Sequence, residues 1–163
     1  MPPSLQKMAL AVHVLASVGW VGAAAAFLGL GVVGLTSPDP PTVRGAYLAM
    51  DPAARLVLVP LALGSLATGL VSSLGTRWGL LRHYWVIFKL LINLFATLVL
   101  VLYLDTFRVM ADVAADQSAR LVEVRNPSPV LHAALALVLL ITAAALGVYK
   151  PRGKTRYGRR RQA

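Results

Sequence analysis

His13, Lys89 and His132 are ionisable side chains set within long apolar stretches. A charge in hydrocarbon is costly, so each is a functional candidate by default. Ser17 and Trp20 follow His13 at i+4 and i+7, which puts all three on one helical face. Asn93 follows Lys89 at i+4, and Thr97 continues that stripe. If the two stretches enter a membrane from the same side, His13 and Lys89 lie at similar depth and can face each other across a bundle. Such a cluster of His13, Ser17, Lys89 and Asn93 would bind an anion or carry protons. The plainer alternatives are a satisfied core histidine at position 13 and a Lys89 that snorkels to the head groups. Trp20 falls mid-membrane, where its indole N–H needs a partner, either Ser17 or a neighbouring helix.

His132 falls near the far end of its own stretch. With Met50 and Met110 it could complete a copper(I) site, since thioether and imidazole suit that soft ion. Haem b between two histidines is disfavoured by depth. At ~1.5 Å per residue, His13 lies ~9 Å inside one edge of a core ~30 Å thick, and His132 lies near the other edge. A haem on a single histidine remains open. His83 reads as an interfacial surface residue. The chain has no cysteine, which excludes disulfides, thiolate metal sites and thiol nucleophiles. It shows no nucleophile with a base, no paired intramembrane carboxylates and no glycine-rich phosphate loop, so the expectation is a protein that is not an enzyme.

The elements that must position these groups are membrane helices. Of the 163 residues, 58% are hydrophobic and 13% are charged. Soluble domains carry about 25% charged residues, so this chain lacks the polar surface to coat a globule in water. Four stretches, about 8–35, 55–74, 84–104 and 129–149, are long enough to span a bilayer. The first continues too far for a cleaved signal peptide and is read as a retained span. Short connections make the fold class all-α, a four-transmembrane-helix antiparallel up-down-up-down bundle. Strips of small residues, Gly22, Ala26 and Gly29 in span one, Gly64, Thr68 and Ser72 in span two, and Ala136, Ala143 and Gly147 in span four, are expected to form the seams.

Charge sorting sets the orientation. Lys7, Arg77, Arg82 and the run from Lys150 to Arg161 gather at one end, while all six acids lie in the gaps at the other. The positive-inside bias then places both termini in the cytoplasm, the expectation being a multi-pass cell (inner) membrane protein. The net charge of +10 points to anionic lipid head groups rather than nucleic acid, because the basic residues flank apolar stretches. Residues 151–163 are expected to be a disordered basic tail. The segment 36–52, with Pro38, Pro40, Pro41 and Pro52, is expected to be mostly irregular. Residues beyond Asp105 keep helical spacing and are expected either to prolong the third helix beyond the membrane or to lie along its surface.

Two runs carry a resemblance. HVLASVGWVG from His13 to Gly22 and TRWGLLRHYWVIFKL from Thr76 to Leu90 resemble the first helix and the second-to-third hairpin of small bacterial integral membrane proteins of unknown function. The histidine–tryptophan–glycine spacing and the lysine early in span three are also similar to CopD-like copper-resistance membrane proteins. The resemblance marks His13, Trp20, Gly22, Trp78, Gly79, Trp85 and Lys89, and implies copper or haem handling as one role. The leading expectation is a structural or accessory membrane component acting through a membrane protein partner or as a homo-oligomer. A small permease using the His13–Lys89 cluster is a further alternative.

Overall fold

The structure is a computed structural model that describes residues 3–75, 80, 82–151 and 153–155. It is all-helical among those residues. Helix α1 spans Pro3–Thr36, α2 Pro40–Ala53, α3 Val59–Gly75, α4 Tyr84–Ala115, α5 Leu121–Val124 and α6 Ser128–Tyr149. A wide π-helical turn, Ala54–Leu58, joins α2 to α3 without a break. Four stretches are long and apolar enough to cross a membrane: Ser4–Thr36, Pro40–Leu74, Tyr84–Ala115 and Leu121–Tyr149, the last broken at 125–127. This is a multi-pass membrane protein.

The four rods stand in a square. Helix α1 packs on α3 and α6, α4 packs on the same two, and the backbones of the diagonal pairs α1/α4 and α3/α6 stay apart, α1 and α4 meeting only through long side chains such as His13 and Lys89. Large apolar side chains such as Leu15, Val18, Leu102 and Val138 remain exposed on the outer faces. In water that exposure would be unfavourable at about 25 cal/mol per Å²; against lipid tails it costs nothing. The end of the bundle that carries the N-terminus and the start of the tail is called basal here, and the opposite end distal.

The seam of α1 differs in phase from the expected strip. Gly22 and Gly29 have open space where a Cβ would stand, and Ala26 is exposed. The packed face is instead Ala16, Trp20, Ala24, Phe27 and Gly31. At Gly31 a Cβ would come within 2.8 Å of Val130 Cγ2, so the missing side chain lets α6 approach. Small residues occupy several phases of α1, so period alone does not choose among them.

The segment expected to be irregular is helical from Pro40 to Ala53. Asp39 caps it, its carboxylate accepting from the Thr42 backbone N–H at 3.1 Å. Pro40 and Pro41 occupy the first helical positions, where no N–H is needed. Pro52 lies inside the helix, just ahead of the π-helical turn, where a locally widened ladder accommodates the lost donor. Helix α4 runs on to Ala115, the first of the two arrangements its spacing allows. These extensions form a distal cap with a core of Val43, Tyr47, Met50, Phe107, Met110 and Val124. Of the expected disordered tail, only 151 and 153–155 are described. Gly153 O accepts from Tyr84 N at 3.4 Å, and Thr155 N donates to Arg82 O at 3.0 Å, so this piece is pinned across the foot of α4. Trp78, Gly79 and residues 156–163 lie outside the described residues.

Candidate functional site

His13 and Lys89 meet on the axis of the square. The His13 Nδ1 lies 3.1 Å from the Ser65 carbonyl oxygen and 3.2 Å from Thr68 Oγ1. A carbonyl only accepts, so Nδ1 carries the proton and Nε2 presents a bare lone pair. Lys89 Nζ lies 3.3 Å from that Nε2 and donates to it. Lys89 therefore turns inward across the bundle diagonal rather than snorkelling outward. Ser17 Oγ is 2.8 Å from Ser65 Oγ, which extends the network one turn further.

Two glycines make room for this pair. A Cβ at Gly69 would stand 3.0 Å from His13 Cε1, and a Cβ at Gly147 would stand 3.2 Å from Lys89 Nζ. The polar stripe on α3 that receives His13 is Ser65, Thr68, Gly69 and Ser72, at i, i+3, i+4 and i+7. Sequence reasoning singled out Thr68 and Ser72 for packing and passed over Ser65 and Gly69. Their shared spacing was the available signal.

Around Lys89 lies a hollow of about 340 Å³, within the usual ~300–1,000 Å³ of small-molecule sites. Leu10, Leu66, Trp85, Val86 and Leu90 give it apolar walls, and Leu80 and Lys150 also border it. Three polar features are unspent. Among the described residues Lys89 has no carboxylate partner, since the ion pairs present are Arg55–Asp51, Arg108–Asp105 and Arg120–Glu123. The Asn93 side chain is buried to 7% exposure, lines the hollow, and makes no side-chain hydrogen bond among those residues. Ser72 Oγ is buried without a partner among the described residues. Buried polar groups are normally paired; here an ammonium with one neutral acceptor, an amide and a hydroxyl border one cavity without a counter-charge among the described residues.

The other sequence candidates fall elsewhere. Trp20 does not join the cluster, because Ser17 is engaged with Ser65. It lines a second cavity of about 290 Å³, nearer the distal end, together with His132. Met50 and Met110 are buried in the distal cap core, and neither borders the cavity that His132 lines. No group of three or more metal-ligating His, Cys, Asp or Glu occurs among the described residues. For haem on one histidine, His13 Nε2 is already occupied by Lys89.

No protein-family profile, curated protein or solved structure matches the chain. The functional reading therefore rests on this geometry.

Proposed function

We propose that this is a non-enzymatic membrane protein that binds a monoanionic amphiphile, a carboxylate or phosphate monoester on an apolar body, in the basal hollow. The observation that carries the reading is Lys89, a cation held inside the bundle by His13 with no acid beside it. A half-buried ammonium without a counter-charge is unfavourable, and an anionic guest reduces that penalty. Asn93 supplies a further donor at the wall of the hollow. The apolar walls favour a guest with a hydrocarbon body over a bare ion. The basal end is inferred to face the cytoplasm, because Lys7, Arg82, Lys150 and Lys154 lie there and the acids do not. The role remains that of an accessory component, one that senses or presents its guest to a partner.

Native mass spectrometry of the protein released from zwitterionic nanodiscs tests this. Decanoate and decyl phosphate are expected to add one molecule per chain, and decanol none. Equal binding of decanol and decanoate would remove the reading.

A further inference from the structure

The second cavity is built differently and points to another ligand. It lies between α1, α4 and α6, with Phe95 and Leu135 exposed at its rim, so it opens sideways toward lipid. Gly31 meets Val130 and Gly147 meets Lys89, which in turn meets His13. These contacts set the heights of the helices. At ~1.5 Å per residue, Trp20 stands ~10 Å above His13 and ~13 Å below the level of His132. That places Trp20 near the middle of a hydrocarbon band ~30 Å thick.

Trp20 is 3% exposed, and its indole N–H has no hydrogen-bond partner among the described residues. An unpaired N–H at this depth has no water to turn to. Acyl chains offer no acceptor there, and the ester carbonyls of phospholipids sit at the two interfaces. The rest of the lining is largely apolar and aromatic, including Phe27, Phe95 and Phe107. At the distal end, Tyr103 stacks on His132 with ring centroids 4.1 Å apart. The His132 Nδ1 lies 2.9 Å from the Ser128 carbonyl oxygen and must donate to it.

We propose that this cavity binds a neutral, apolar molecule with a carbonyl on a flat ring, the quinone class, and that Trp20 donates its N–H to that carbonyl. Such a molecule reaches the mid-membrane freely, supplies the missing acceptor, and presents a ring face to the aromatic lining. The claim concerns binding alone. It is independent of the Lys89 site, since the two cavities share no lining residue.

The test is the indole ¹⁵N–H spectrum of the protein in nanodiscs, with the Trp20 resonance assigned by its loss in Trp20→Phe. An alkyl-1,4-naphthoquinone is expected to move that resonance downfield, and the matching alkylnaphthalene, which has no carbonyl, to leave it in place. Trp20→Phe keeps an aromatic ring in the packed face and is expected to bind the naphthoquinone about tenfold more weakly, the loss of one hydrogen bond. If both probes move the resonance equally, or neither does, the assignment fails. Unchanged naphthoquinone affinity in a folded Trp20→Phe protein would also overturn it.

Discussion

Two half-buried cations, Arg44 at the distal end and Lys89 at the basal end, are held in opposite ways. In the distal cap Arg44 is engaged by backbone carbonyls. Its guanidinium donates to the carbonyls of Ala114, Asp116 and Ala119 at 3.1, 2.7 and 2.6 Å, closing the C-terminal end of α4, where the helix dipole is negative. Tyr47 adds a pair of bonds to the Asn126 backbone, donating to O at 3.0 Å and accepting from N at 2.8 Å. At the basal end Lys89 is equally inward but has one neutral acceptor, and Asn93 and Ser72 beside it are unspent. A cation whose donors are consumed by backbone is a structural fastener. A cation whose donors remain available in a cavity is a receptor.

That contrast can be broken by substitution. Lys89→Met is expected to weaken decanoate binding ~100-fold, the loss of a charge-assisted contact of about 3 kcal/mol. The thermal midpoint of the unliganded protein should hold or rise, because an uncompensated charge leaves the interior. Calorimetric titration and thermal unfolding read the two halves of this outcome. Arg44→Met should do the reverse. It leaves decanoate binding unchanged and lowers stability by about 2 kcal/mol, since three carbonyls lose their donor. Hydrogen exchange should quicken around Ala119 in that variant.

Smaller changes sharpen the comparison. Gly147→Val fills the space beside Lys89 Nζ, and a loss of decanoate affinity of about tenfold is expected by the same titration, with Gly147→Ala giving less. The smallest effect concerns acid. Asp116 lies just past α4, and the Ser118 hydroxyl, then the Ser118 backbone N–H, hold its carboxyl below the usual carboxylate range. A group whose folded value is depressed contributes stability above its unfolded pKa and loses it as pH falls through the folded value. Asp116→Asn should therefore flatten a small acid-side decline in cap order, followed by the Ser118 and Ala119 amide signals as pH is lowered through and below the usual carboxylate range.

Much of the bundle was legible in the chain. Apolar runs bounded by sorted charge specify the four spans, and equal depth from one end predicts that His13 and Lys89 meet. Orientation of the side chains was less legible. Gly22, Ala26 and Gly29 have the right period for a seam but face lipid, because α1 carries small residues at several phases and only the neighbouring helices choose. The proline-rich segment before span two became α2 because its prolines fall at positions that need no donor, a feature of placement rather than composition. Ser65 and Gly69 were missed because a lone serine and a lone glycine say little until an imidazole is set against them. Trp20 shares the face of His13 and Ser17, yet the second cavity claims it, since one further turn of helix carries it beyond the reach of the polar cluster.

The most direct test of the central claim observes the ammonium itself. In protein labelled with ζ-¹⁵N lysine and held in zwitterionic nanodiscs, the Lys89 signal can be assigned by its absence in Lys89→Met. The account predicts that decanoate shifts this resonance and slows exchange of its protons, while decanol leaves it unchanged. A Lys89 signal that ignores decanoate, or that already exchanges as fast as the lysines of the basal surface, would contradict it.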